Sequence, residues 1–506
     1  MRVQSNILAN YASQIFVSLV GIVTVPLYIR YLGMEAYGLV GFFAMLQGWF
    51  ALLDFGLTPT ISRETARYRG GATGAQSYRQ LYRALSIIFA TVAASGGAAL
   101  WLSAENVAAG WLNVQRIPHE EVVFAVQVMA VSIAIRWLGG VYRGVMVGAE
   151  RLVWLSIFNI LVASLRFGGV LVSMAVFGYT IKVFFAHQLA TTVLEAVILR
   201  HAAHGIIPAK ASLGAPLEWS IAAVRPHIKF ALSITFASSV WVIVTQADKL
   251  ILSGLLPLTV FGHFSLATLI AGGITMLALP ITGAIMPRLA VLEAQGRGDE
   301  IIPLYREATR LASVIGGAAA LTLVFLVEPV LYAWTGMSEH PDGLVSTVIL
   351  YAIGNTCLNF SSFAYCLQYA KGHVRYHVLG NLWLLLLLVP LLVMLTRTFG
   401  IVGAGLAWAS VNVLYLVAWV GYTHARLAPG LNAKWLLFDI VIVLVPAAMV
   451  GVALHYFAGA IQGRGNSLAY SLFSGLVVLG VCYLSTLVSR LAESAFCTSP
   501  APSYVK

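Results

Sequence analysis

The sequence predicts an all-α integral membrane protein: about fourteen transmembrane helices, arranged as two six-helix lobes related by a pseudo-twofold repeat, plus two C-terminal helices. Three observations predict it. Only 10% of the 506 residues are charged and 60% are hydrophobic, with a mean hydropathy of +0.88, against roughly 25% charged residues in soluble domains. Apolar runs of about 20 residues, each enough to cross a hydrocarbon core of about 30 Å as a helix, recur from end to end. The chain also repeats itself at a fixed interval.

In order, the runs fall at 7–29, 37–59, 82–103, 121–141, 152–177, 180–201, 230–252, 260–285, 311–333, 345–369, 378–396, 401–423, 435–457 and 468–489. Met1 and Arg2 lead into the first without an A-x-A site, so it is expected to stay as a span. Cys357, Cys366, Cys482 and Cys497 lack metal-ligand spacing and read as small apolar filler. With the N-terminus in the cytoplasm, the inside connections collect most of the basic residues, from Arg63, Arg67, Arg69, Arg79, Arg83, Arg143 and Arg151 to Arg426 and Lys434. The outside turns carry only Arg30, Arg116, Lys182, Arg397 and Arg464. The positive-inside rule then places both termini in the cytoplasm. Topology therefore explains the net charge of +11, and no nucleic-acid partner is implied.

The repeat sets the domain organisation. Tyr37–Gly38 matches Phe261–Gly262, Arg63 matches Arg288, and Leu81–Tyr82–Arg83 matches Leu304–Tyr305–Arg306. Glu105, Val107 and Trp111 return as Glu328, Val330 and Trp334, and Tyr142, Arg151, Asn159 and Phe177–Gly178 as Tyr365, Arg375, Asn381 and Phe399–Gly400. All pairs lie about 222 to 225 residues apart, one register across half the chain. Six helices per repeat is an even number, so the lobes share one orientation, and in transporters built this way the substrate site lies between them. The expected boundaries are 1–204 for the N-terminal lobe, 205–229 for a Gly- and Pro-containing cytoplasmic linker, and 230–427 for the C-terminal lobe. The last two helices occupy 428–490 and a cytoplasmic tail 491–506.

Charges inside the bilayer cost about 2.5 to 3.5 kcal/mol each at mid-helix, so they mark function or pairing. The repeat sorts them. Asp54, Arg136, Arg166 and Glu195 have apolar counterparts near Ala278, Leu358, Leu388 and Val417, so a lobe can be built without them. Arg166 is the deepest, on one face with Asn159 and Ser173. Gln188, Thr191, Thr192 and Glu195 form a second stripe. Asn6, Asn10, Ser13 and Tyr28 form a third, and Ser238, Thr245 and Asp248 a fourth. The candidate substrate-binding residues are Arg166, Arg136, Arg30, Lys249, Asn159 and Gln188; the candidate ion-coupling acids are Asp54, Glu195 and Asp248. Each has a plainer reading. Arg30 and Lys249 can snorkel to headgroups, Arg136 can be the structural partner of Asp54 or Glu195, Asn159 recurs in both repeats, and His187 reads as a satisfied interior histidine. Asp248 and Lys249, about 100° apart around a helix, should not share a cavity.

The stretch from Pro26 to Arg63 carries Leu32, Gly33, Tyr37, Gly38 and Leu39, then Asp54, Gly56 and Leu57, with Arg63 at the exit. It resembles the N-terminal signature of the bacterial polysaccharide, or O-antigen, flippases of the multidrug/oligosaccharidyl-lipid/polysaccharide exporter superfamily. The resemblance implies a 6+6+2 helix layout and no enzymatic activity. The implied substrate is an oligosaccharide on a polyprenyl diphosphate, moved to the outer leaflet by alternating access for cell-surface polysaccharide synthesis. It admits a polysaccharide polymerase and a chain-length regulator as partners, beside membrane lipids. No cofactor is expected; a proton or sodium gradient, or the membrane potential, would supply the energy.

Rival classes have weaker support. The connections at 60–81, 201–229 and 286–310 contain no GxxxxGK[ST] loop, which argues against an ATP-driven pump. A membrane-embedded glycosyltransferase or polymerase would ordinarily need a soluble domain or a large outer loop bearing acids. An ion-coupled multidrug exporter of cations should line its site with acids and aromatics, not with Arg136 and Arg166. A peptidoglycan-precursor flippase differs only in substrate. A non-transporting assembly partner leaves the one-lobe charges unexplained.

Overall fold

The computed structural model describes residues 2–209 and 224–498; the rest of the expected linker and tail lies outside the described residues. The described chain is helical, with one isolated bridge between Asn113 and Pro257. Twelve of its helices are long and apolar enough to cross a membrane. One of these, Arg375–Leu427, takes in both expected spans 378–396 and 401–423. At about 1.5 Å per residue it would be far longer than a bilayer is thick, and it breaks at Gly400, whose φ of 58° only glycine adopts easily.

The chain divides into two compact units, Met1–Gly262 and His263–Lys506. The first contains α1 (Arg2–Leu32), α2 (Met34–Phe50), α3 (Leu57–Arg69), α4 (Ala75–Leu102), α5 (His119–Gly148), α6 (Leu152–Phe177), α7 (Ile181–His204) and α8 (Ile228–Leu255). The run expected at 230–252 thus falls inside this unit, within α8.

The expected second span, 37–59, is not continuous. After α2 the chain tightens into a 3-10 turn, Ala51–Asp54, then passes through left-handed Phe55 and Gly56 before α3 begins. Asp54 sits at that break. Its carboxylate accepts the Thr58 hydroxyl at 2.5 Å and the Thr58 backbone N–H at 3.3 Å, in the first turn of α3, where amides have no intrahelical partner.

α3 lies on a ridge of small residues on α5. A Cβ at Gly144 would stand 2.8 Å from the Thr58 carbonyl, and one at Gly148 would stand 2.1 Å from that of Ser62. Backbone approach of this kind drives helix association where lipid removes any hydrophobic gain. α5 also packs along α4 and α7. Phe89, Leu85, Val141, Val145 and Leu199 form the buried core among these helices, with α5 at its centre.

The second unit holds most of α9 (Leu258–Ala294), then α10 (Gly298–Thr335), α11 (Leu344–Ala370), α12 (Arg375–Leu427), α13 (Leu431–Ala458) and α14 (Arg464–Thr498). Asn355 ties three of them: it donates to the Ala271 carbonyl at 2.9 Å and accepts the Trp408 indole N–H at 2.9 Å. α13 and α14 pack on α10.

Candidate functional site

The site starts from a change of helix type. α6 runs as an α-helix to Ala163, opens into a π-turn over Ser164–Gly169, and resumes at Val170. A π-turn loosens the i to i−4 ladder and is frequent at functional positions. Three successive carbonyls of this turn accept side-chain donors from neighbouring helices. Leu165 takes His187 Nε2 at 2.9 Å, Arg166 takes Gln188 Nε2 at 3.3 Å, and Phe167 takes the Tyr28 hydroxyl at 2.7 Å. His187 Nδ1 in turn lies 2.8 Å from the Ser173 hydroxyl. The turn is held open from α7 and α1, and it carries Arg166.

Arg166 Nη2 donates to Glu195 Oε2 at 2.5 Å. The other oxygen, Oε1, accepts Arg143 Nη2 from α5, and Arg143 Nη1 donates to Asn159 Oδ1 at 2.9 Å. Glu195 thus bridges two helices through two guanidiniums. Arg136 lies two turns from Arg143 on α5, donates to Gln47 of α2, and is within Coulombic reach of Arg166, Glu195 and Arg143. Gln188, Thr191, Thr192 and Glu195 are all buried along one face of α7, as their spacing predicts.

Three arginines and one glutamate leave this cluster two positive charges in excess. Each guanidinium has five N–H donors, and most of them meet no acceptor among the described residues. Arg166 Nε is buried without a hydrogen-bond partner, an arrangement that ordinarily costs about 1 to 3 kcal/mol or more. Arg143, with 36% of its side chain exposed, is the open edge of the cluster. Such a site can accept an anion with several oxygens in bidentate fashion.

Of the candidates read from sequence, Arg166, Arg136, Asn159, Gln188 and Glu195 converge here. The others form separate local arrangements. Asp54 is engaged with Thr58. Arg30 is exposed, its guanidinium 5.9 Å from the Tyr31 ring. Lys249 Nζ reaches Asp248 Oδ1 at 3.2 Å and the Thr245 carbonyl at 2.9 Å, so the adjacent pair meets after all: a flexible lysine stem spans the angle that separates the two Cβ directions. Among the described residues no group of His, Cys, Asp and Glu could hold a metal.

Arg143 and Gln47 are absent from the sequence-based candidates. Arg143 was expected in a cytoplasmic connection, but α5 extends to Gly148 and keeps it inside the helix. The repeat signals both residues: in the register of Tyr142 with Tyr365, Arg143 falls on Cys366, and in the register of Tyr37 with Phe261, Gln47 falls on Ala271.

Residues 3–293 match the family described as "Polysaccharide biosynthesis protein". No curated protein matches the chain in sequence. Among solved structures, the lipid II flippase MurJ in an inward closed conformation aligns with a TM-score of 0.71 at 13% identity, covering 96% of this chain and 99% of that one. An inward-facing multidrug-resistance MATE transporter of the MOP superfamily aligns with a TM-score of 0.65 at 14% identity, covering 85% and 96%. A MOP-superfamily transporter from Pyrococcus furiosus, described as having a binding pocket of reverse polarity, gives 0.55 at 13% identity, covering 84% and 95%. The chain belongs to the polysaccharide biosynthesis protein family, with the fold of the flippases and transporters of the MOP superfamily.

Proposed function

We propose that the chain is a flippase. It carries an oligosaccharide linked to a polyprenyl diphosphate from the cytoplasmic to the outer leaflet of a bacterial inner membrane by alternating access, with both termini in the cytoplasm. The observation that carries this reading is the excess of two positive charges at Arg136, Arg143, Arg166 and Glu195, with Arg166 Nε lacking an acceptor. A diphosphate diester brings two negative charges and several oxygens. Charge-assisted bonds to the guanidiniums would replace its lost hydration, while the prenyl chain stays in lipid. The family of the chain and the MurJ-like fold agree with a lipid-linked substrate.

A cation exporter is disfavoured by the sign of the site, since bringing a cation to a cluster already two charges positive is repulsive. The membrane potential would assist outward movement of an anion by about 2.3 kcal/mol per charge per 100 mV. Of the candidate coupling acids, Glu195 touches the cluster. The test is translocation of a polyprenyl-diphosphate oligosaccharide in proteoliposomes under an imposed potential. Transport by the wild type and its loss in Arg166→Ala support the flippase; export of cationic dyes with no movement of the lipid-linked glycan overturns it.

A further inference from the structure

We infer that Glu195 is a resident competitor of the cargo: its carboxylate occupies the guanidinium faces that the anionic headgroup must take, and its return to them drives release. This rests on the anion-binding reading of the site given above. The geometry is that of an occupied anion site. One carboxylate engages Arg166 at 2.5 Å through Oε2 and Arg143 through Oε1, so both of its oxygens are spent on guanidiniums from two different helices. The paired oxygens of a phosphate diester offer the same bidentate pattern.

The remaining neighbours do not compete. Asn159 and Gln47 are neutral partners of Arg143 and Arg136, Gln188 is engaged with the Arg166 carbonyl, and His187 with the Leu165 carbonyl and Ser173. Glu195 is buried at 6% exposure, tethered next to the arginines at high effective concentration. A site of three unopposed arginines would bind a doubly charged headgroup tightly and let it go slowly. With Glu195 present, each departing phosphate oxygen is replaced at once by a carboxylate oxygen, and Arg166 and Arg143 each keep an anionic partner in the bilayer. Affinity is given up to gain turnover.

The probe is a short-chain prenyl diphospho-sugar, a diester with a fixed charge, bound to the purified full-length protein in detergent and translocated in proteoliposomes. Glu195→Gln keeps the shape and removes the charge. The expected result is an affinity raised about tenfold or more, as loss of a charged hydrogen-bonding competitor allows, together with a slower maximal translocation rate. Glu195→Asp, which shortens the stem but keeps the charge, should stay near wild-type affinity. An unchanged or weakened affinity in Glu195→Gln, with its melting temperature intact, overturns the inference and makes Glu195 a strut that orders the arginines. Arg166→Ala in the same assay separates the two claims. If it binds as tightly as the wild type, the anion site itself fails; if it weakens binding while Glu195→Gln does not strengthen it, only the competitor role fails.

Discussion

Both compact units bury a cluster of charges, and the two clusters differ in how their charges balance. In the second unit Arg306 and Arg310 of α10 face Asp439 of α13 and Glu493 of α14. Arg306 grips Asp439 with Nε at 2.7 Å and Nη2 at 2.9 Å, Arg310 Nε adds 2.7 Å, and both arginines reach Glu493. Ser313 donates to the Asp439 carbonyl at 2.7 Å, Trp435 donates to Thr309 at 3.0 Å, and Arg490 pairs with Glu307 at 2.5 Å. Two positive charges meet two negative ones. In the first unit three arginines meet one glutamate and a donor is left over. Burial is common to both clusters; the charge sum and the unsatisfied donor Arg166 Nε set the first apart. It also gives the last two helices a task, since α13 and α14 supply both acids that neutralise α10.

The comparison is easiest to break at its balanced end. Asp439→Ala leaves two buried guanidiniums short of an acceptor and should cost about 3 to 5 kcal/mol. Thermal unfolding in detergent should show a large fall in melting temperature, with transport lost as a consequence. Arg166→Ala has the opposite signature. Glu195 keeps Arg143, so stability should change little, while loss of charged hydrogen bonds worth about 1.5 to 3 kcal/mol each should weaken headgroup binding by roughly 10- to 150-fold. A fall in stability as large as that of Asp439→Ala would erase the distinction between the clusters.

His187→Leu tests how the arginine is aimed. It leaves the Leu165 carbonyl without its donor, at about 1 to 3 kcal/mol. It should weaken binding by misplacing Arg166, and His187→Gln, which can still donate, should restore part of the loss. Tyr28→Phe is the smallest effect. It deletes one hydroxyl donor to the Phe167 carbonyl and should cost about 1 kcal/mol of stability, read as a shift of a few degrees in melting temperature.

Most of the fold is legible in the sequence because bilayer thickness dictates span length and the repeat dictates register. The spans around α4, α6, α7, α10 and α11 lie where hydropathy puts them. The break at Ala51–Asp54 is not legible that way: hydropathy is indifferent to a 3-10 turn, and Leu52, Leu53 and Phe55 read as continuing helix. Half of the candidate site is legible too. The stripe from Gln188 to Glu195 and the one-lobe charges Arg136 and Arg166 point to the cluster before any coordinates. Which acid pairs with which arginine is a matter of tertiary packing; Asp54 and Asp248 look as suitable as Glu195 in sequence, yet each is tied to a local partner. The π-turn at Ser164–Gly169 leaves no signature in residue type beyond Ser164 and two adjacent glycines.

In the proposed flippase the unbalanced cluster of the first unit holds the anionic headgroup. Equilibrium binding of a prenyl diphospho-sugar to the wild type and Arg166→Ala, at matched thermal stability and rising salt, tests it most directly. The expected result is saturable binding by the wild type that weakens with salt, and a loss of at least about tenfold in the variant. Equal affinity in the two proteins would contradict it.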